Sequence, residues 1–194
     1  VSDPKTNVTE VVYKPIANPA TRVAALLLGE VDYVLDPPLQ DLKRIGATPN
    51  LKVEQINQIR TIFYGLDVGV DELRNSNVKG KNPFRDPKVR EAMYRAIDID
   101  TIQKKTMRGL SFPAGIITSP GVHGFTQALD ERVAFDPEKA KALLTEAGYP
   151  DGFEVQLECP NNRYNNDEAI CQATVGMLAK AGIKVSLNAR PKSI

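Results

Sequence analysis

The stretch DPEKAKALLTEAGYPDGFEVQLECP, residues 136–160, contains a helix start, a helix stop and a strand in direct succession. Asp136 followed by Pro137 is typical of a helix start, because the carboxylate accepts free N–H groups of the first turn and the proline has none to lose. An apolar stripe at helical spacing then ends at Gly148, a residue type that often closes helices. Residues 153–158 alternate between apolar and polar side chains, as a strand does. The stretch predicts a helix packed on a strand.

The same order of signals returns in DEAICQATVGMLAKAGIKVSLNARP, residues 167–191. Its apolar stripe ends at Gly182, and an alternating segment follows over residues 183–187. Two such units predict an α/β fold with helices packed on mixed sheets. The spacing does not continue into further copies, so the repeated helix–strand pattern does not indicate a solenoid.

The rest of the chain also alternates between helix and strand patterns. Helices are expected after Asn18, after Pro38 and after Asp86, and a further one from Asp100 to Gly109. Polar residues rich in Gly and Asn predict a loop between the two halves of the chain, over 69–85. Strands are predicted for the β-branched or alternating segments 8–16, 31–35, 51–56 and 59–68.

The bulk composition is that of an ordinary globular protein, with 42% hydrophobic and 25% charged residues. The net charge is +1 and the basic residues are dispersed, which argues against a nucleic-acid or anionic-membrane partner. The longest apolar run, Val23 to Leu28, is too short to cross a bilayer. No targeting segment is visible and Val1 is not a start methionine, so we interpret the chain as a piece of a longer mature protein.

Catalytic and cofactor motifs are not evident in the sequence. The single histidine, His123, lies in a Pro/Gly loop, where a surface or packing role is more common than a role as a base. Asp98 and Asp100 stand at a helix junction and are explained by capping. The sequence therefore predicts no enzyme, no cofactor and no metal site.

Two stretches have the residue types of a ligand site. Arg60 and Tyr64 share one face of the predicted strand over 59–68, and an arginine in an apolar strand needs an anionic partner or solvent access. The loop CPNNRYNND, residues 159–167, leads into a helix N-terminus and is suited to anions or amide groups. The competing interpretations are a structural salt bridge for Arg60 and an ordinary capped loop.

The two cysteines, Cys159 and Cys171, stand at a strand end and near the next helix start. Their spacing is not that of a C-x-x-C redox motif, and two thiols alone do not make a zinc site. In an exported protein they would form a disulfide; otherwise they are two small buried thiols.

Several segments, taken in order, resemble the family 5 extracytoplasmic solute-binding proteins, which are dipeptide, oligopeptide and nickel-type receptors of ABC importers. The specific ones are NPFRDPKVREAMYRAIDID and DPEKAKALLTEAGYPDGFEVQL, supported by GEVDYV, RTIFYGLDV, SPGVHGF and AGIKV. The resemblance runs from about Val8 to the end of the chain. It implies a type II, periplasmic-binding-protein-like architecture of two lobes that close over a ligand and deliver it to a membrane permease.

The resemblance also implies a division of the chain and a set of contacts. Residues 1–57 would be part of the first lobe, 58–68 a strand crossing between lobes, and 69–194 the N-terminal part of the second lobe. A periplasmic location follows, which favours the bridge between Cys159 and Cys171. The expected partners are a peptide or small-molecule ligand and an ABC permease, with no nucleic acid, and a monomer is expected. The expected ligand contacts are Arg60, Tyr64, His123, Arg163, Tyr164 and Asn165.

Two other functions stay open at this stage. A ligand-sensing or interaction domain would use the same lobe without transport. An enzyme would need its site on segments outside this chain.

Overall fold

The computed structural model describes residues 7–193. The helices and strands follow one another in the order α1 Pro19–Leu27, α2 Leu42–Ala47, α3 Pro87–Ala96, α4 Ile99–Thr101, α5 Pro137–Glu146, β1 Phe153–Pro160, α6 Asp167–Lys180 and β2 Ile183–Arg190. A 3-10 turn over Pro83–Arg85 precedes α3, and a π-helical turn over Ile102–Thr106 follows α4. No helix within residues 7–193 is both long and apolar enough to span a membrane.

The chain divides into two compact units, of which the first ends at Glu54. In this unit α1 begins as its sequence predicts, because the Asn18 side chain accepts the Thr21 N–H at 3.0 Å and Pro19 follows it. A small core forms between α1 and α2 from the buried side chains of Val23, Leu26 and Ile45.

The second unit begins at Gln55 and contains one parallel pair of strands, β1 and β2. Phe153 faces Ile183 at one end of the pair, and Pro160 faces Arg190 at the other. Parallel strands need a crossover connection, and here α6 provides it by linking the end of β1 to the start of β2. The helix-then-strand pattern of residues 136–191 has therefore produced a β-α-β unit preceded by α5.

The core of the second unit lies between this sheet and helices α3, α5 and α6. Phe153 stands at its centre and meets Tyr149 edge-on at a centroid distance of 5.1 Å and Phe84 at 6.3 Å. Edge-to-face aromatic pairs add to the free energy of area burial, so this trio ties the sheet to the 3-10 turn. The buried aliphatic residues of this core include Val89, Ala92, Leu143, Leu144 and Ile183.

The sequence predicted strands at 8–16, 31–35, 51–56 and 59–68, and a crossing strand over 58–68. These predictions are wrong for this structure, because none of the segments forms a strand in the described residues. Within residues 7–193, β1 and β2 are the strands that form. A strand requires inter-strand hydrogen bonds, and these segments have no neighbouring strand to supply them. Their apolar side chains are largely exposed, as in Tyr13 and Ile56, both 86% exposed.

Two helix predictions also need correction. The helix expected after Pro38 begins only at Leu42, because a turn from the Pro38 carbonyl to the Asp41 N–H comes first. The helix expected from Asp100 to Gly109 forms one short α turn, capped by Asp98, and then the π turn that ends at Thr106.

Candidate functional site

Three of the six predicted ligand residues, Arg60, Arg163 and Tyr164, meet around the ring of Tyr164, in the second unit. The guanidinium carbon of Arg60 lies 5.8 Å from the ring centroid, and that of Arg163 lies 5.2 Å from it. Tyr164 is half-buried, whereas both arginines are exposed. In the part of the chain that the structure describes, neither guanidinium forms an ion pair. We call Arg60, Arg163 and Tyr164 the arginine–tyrosine cluster.

The segment that carries two cluster members is the 161–166 loop, between β1 and α6. A disulfide with an S–S distance of 2.06 Å joins Cys159, at the end of β1, to Cys171 in the first turns of α6. The Asn161 N–H donates to the Arg190 carbonyl at 3.1 Å. On the other side the Asn166 side-chain amide donates to the Thr106 carbonyl at 2.8 Å, at the end of the π turn. The loop is thus fastened to β2, α6 and the π turn.

Asp167 organises the middle of the same loop. Its carboxylate accepts the Arg163 N–H at 2.9 Å and the Tyr164 N–H at 3.1 Å, and also the Glu168 N–H at 2.9 Å. Asn166, which precedes it, has a left-handed backbone with φ of 58° and makes no capping hydrogen bond of its own. Asp167 was absent from the predicted site residues. The available sequence signal was an acidic residue directly after a loop rich in Asn.

The side chain of Tyr64 contacts helix α6, and its hydroxyl is already hydrogen-bonded within the protein. The phenol donates to the Thr174 hydroxyl at 2.9 Å and lies 4.0 Å from Cys171 Sγ. Burial raises the pKa of the Tyr64 phenol, and the hydrogen bond with Thr174 partly offsets this rise. Since Thr174, in α6, is only 1% exposed, this contact anchors the segment around Tyr64 to that helix.

The remaining predicted residues are less closely connected to the cluster. The Pro/Gly loop that contains His123 is joined to the segment of Arg60 and Tyr64 through Thr61. The Thr61 hydroxyl donates to the Ile117 carbonyl at 2.8 Å and lies 3.2 Å from the Ser119 hydroxyl. His123, later in that loop, is exposed, and Asn165 is half-buried. Among the described residues, no hydrogen bond, ion pair or ring contact joins either of them to the cluster. No group of three or more His, Cys, Asp or Glu residues between 7 and 193 is placed to hold a metal ion.

The arrangement can receive an anionic or planar group. A guanidinium presents several N–H donors in one plane, which suits carboxylate and phosphate oxygens, and the tyrosine ring offers a face for stacking. Neither arginine has to give up an internal ion pair to make such a contact.

The family described as "Bacterial extracellular solute-binding proteins, family 5 Middle" matches residues 2–193. The glutathione-binding protein GsiB of Salmonella choleraesuis is 29% identical over 179 residues, which are 92% of this chain and 32% of the relative. GsiB of Escherichia coli K12 is 28% identical over the same length. The chain thus spans about a third of the length of these relatives.

Solved structures agree with this match. The periplasmic binding protein DppA of Helicobacter pylori, in complex with the peptide STSA, superposes with a TM-score of 0.70 at 26% identity, over 92% of this chain and 32% of that one. AgaA from A. tumefaciens R10, in complex with agropinic acid, gives a TM-score of 0.66 at 32% identity, over 91% of this chain and 33% of that one. The fold is therefore that of a portion of a type II periplasmic binding protein, as the sequence predicted. The chain belongs to the bacterial extracellular solute-binding proteins of family 5 and corresponds to their middle region.

Proposed function

We propose that the protein carrying this chain is the substrate-binding component of an ABC importer. It would bind a peptide or peptide-like solute in the periplasm and deliver it to the membrane permease. The observation that carries the proposal is the arginine–tyrosine cluster, where Arg60 and Arg163 are held on one ring with no internal ion pair. Such a cluster has N–H donors available for a ligand. Because the chain belongs to a family of solute-binding proteins, we propose that these donors bind the solute.

The names of the relatives support a solute with a carboxylate. The matched proteins include a glutathione-binding protein and structures in complex with a peptide or agropinic acid. Peptides, glutathione and agropinic acid all carry carboxylate groups, which guanidinium groups bind well. In this proposal Arg60 and Arg163 receive the anion and Tyr164 supplies a stacking face. His123 and Asn165 are secondary candidates, while the Tyr64 hydroxyl is bonded to Thr174 within the protein and is not among the proposed contacts.

The assignment of residues to the two lobes is part of the same proposal. Residues 1–57 would belong to the first lobe and residues 69–194 to the second, with 58–68 connecting them. The boundary between compact units at Glu54 and Gln55 is compatible with this assignment. The receptor would act as a monomer, without nucleic acid and without turnover of its solute.

The test starts with the full-length protein purified without refolding. Native mass spectrometry should find one carried solute per protein. Calorimetric titration of the emptied protein should find a 1:1 complex with one of four probes: glutathione, agropinic acid, and the ligands of two further matched structures, the dipeptide Met-Leu and mannopinic acid. Recovery of the solute with unchanged mass would support binding over catalysis. If no solute is carried and none of the four binds, the proposal is wrong.

A transport assay separates the importer from a ligand sensor that uses the same lobe. Membrane vesicles containing the permease and ATPase encoded beside the receptor should accumulate the identified solute only when the receptor is added. Solute binding without receptor-dependent uptake would favour the sensing function.

A further inference from the structure

Asp167 is a buried carboxylate that has no cationic partner within the described residues. It is 7% exposed, and its oxygens accept the N–H groups of Arg163, Tyr164 and Glu168. A carboxylate removed from water has a large desolvation cost unless hydrogen bonds replace its hydration. Backbone N–H groups provide that replacement here, so the carboxylate and the loop backbone hold each other in place.

The direction of these hydrogen bonds sets Asp167 apart from the other helix-capping acids of the chain. Asp86 accepts the Lys88 N–H and Asp136 accepts the Lys139 N–H, in each case from the helix that follows. Asp167 instead reaches back to N–H groups three and four residues before it, as well as to its next neighbour. Capping of α6 alone would not require the two backward bonds.

The two backward donors are the residues whose side chains belong to the arginine–tyrosine cluster. Fixing the backbone at Arg163 and Tyr164 sets the direction in which the guanidinium and the ring leave the chain. The Tyr164 ring is the surface over which Arg60 lies at 5.8 Å. Asp167 therefore acts on the cluster through the backbone of two of its members.

We propose that Asp167 is a positioning residue that holds Arg163 and Tyr164 in their binding geometry before the solute arrives. This inference rests on the proposed function, in which the cluster receives the solute. Preorganisation raises affinity because the loop loses less conformational freedom on binding. The loop ends are fastened separately, by the disulfide and by Asn166, so loss of the Asp167 carboxylate frees the middle of the loop and leaves its ends in place.

The experiment compares Asp167→Ala with Asp136→Ala in the full-length protein. Both substitutions remove a carboxylate that accepts at least one backbone N–H near the start of a helix, but among the described residues Asp136 forms no hydrogen bond or ion pair with the 161–166 loop. The probe is the tightest binder among glutathione, Met-Leu, agropinic acid and mannopinic acid. We expect Asp167→Ala to weaken affinity about tenfold per folded molecule, while Asp136→Ala binds as the wild type does.

Two further measurements keep the proposal falsifiable. Hydrogen exchange in the solute-free protein should show the Arg163 and Tyr164 amides protected in the wild type and in Asp136→Ala, but not in Asp167→Ala. Asp167→Asn retains one oxygen acceptor and should restore part of both the protection and the affinity; it also serves if the alanine variant does not fold. Unchanged affinity in a folded Asp167→Ala, or unprotected wild-type amides, would overturn the inference while leaving the receptor function intact. If no probe binds the wild type and no solute is carried, the proposed function itself fails.

Discussion

The Arg60 guanidinium is exposed and contacts the Tyr164 ring, with no ion pair in the described part of the chain. A structural ion-pair partner would have an acidic neighbour, so this geometry favours a ligand contact. We predict that Arg60→Ala in the full-length protein weakens solute affinity at least about tenfold, because a charged contact that becomes desolvated on binding contributes about 2–5 kcal/mol. The melting temperature of the solute-free protein should stay nearly unchanged. Calorimetric titration beside melting curves measures both quantities.

Tyr64→Phe is the matched control in the same segment. It removes the hydroxyl that donates to the buried Thr174 hydroxyl and keeps the ring. This loss should lower the free energy of unfolding by about 1 kcal/mol. Affinity per folded molecule should be unchanged, since the hydroxyl is already bonded within the protein. The opposite pattern, with Arg60→Ala lowering stability and Tyr64→Phe lowering affinity, would reverse the two assignments.

Part of this site was predictable from single residues and part was not. Arg163 and Tyr164 drew attention because an arginine and an aromatic residue stand in a polar loop before a helix. Asp167 has the same appearance as any helix-capping acid, and which N–H groups it accepts depends on the left-handed turn at Asn166. The partner of Tyr64 lies 110 residues away in the chain, and no local pattern reveals such a contact.

At the scale of elements, helices were predicted better than strands. The caps at Asp86 and Asp136 form as expected, with N–H contacts of 2.8 and 2.9 Å. A helix satisfies its backbone within one segment, so caps and apolar stripes are enough to place it. The pattern of 153–158 became β1 because a partner strand lies beside it. The equally suggestive pattern of 59–68 forms no strand in this structure, because strand pairing is non-local and needs a partner.

The start of β1 depends on a close approach between two glycines. Gly152 has φ of +73°, and a Cβ built on it would lie 1.8 Å from the Gly182 carbonyl oxygen, just before β2. Gly148 has φ of +86° with nothing within 4 Å of the added atom. We predict that Gly148→Ala costs only the left-handed strain of about 1–2 kcal/mol, whereas Gly152→Ala costs clearly more, because the backbones of both strands must separate. Chemical denaturation of the two variants tests this, and equal losses would contradict it.

The disulfide is the other device that fixes an element end. It closes a short loop, with a separation of 12 residues between Cys159 and Cys171. In the chain-entropy model such a bridge stabilises the folded state by about 3 kcal/mol, so the Cys159→Ser/Cys171→Ser variant should unfold at lower denaturant concentration. Thiol titration of the denatured, unreduced protein from an oxidising preparation should find no free thiol. Two free thiols there would show that the bridge does not form.

At the scale of the whole molecule, the exposed apolar segments and the length of the relatives suggest one explanation. Ile56 and Ile59 are 86% and 73% exposed, and Phe63 is 61% exposed, all in or next to the segment predicted as a crossing strand. This chain covers 32% of the matched GsiB proteins. We infer that in the full-length protein these side chains are covered and the segment gains strand partners from the remainder of the protein.

Hydrogen exchange and solute affinity test this inference together. In the full-length protein the amides of residues 59–66 should be protected, because strand pairing ties up backbone N–H groups; in the isolated 194-residue chain they should exchange rapidly. The isolated chain should also bind the identified solute far more weakly, since a solute held between two lobes would lose the contacts that the rest of the protein supplies. If the isolated chain binds with full affinity, the solute is held by this region alone, and the two-lobe cleft is not its site. If affinity is lost but residues 59–66 exchange equally fast in both proteins, the cleft stands and the crossing strand does not.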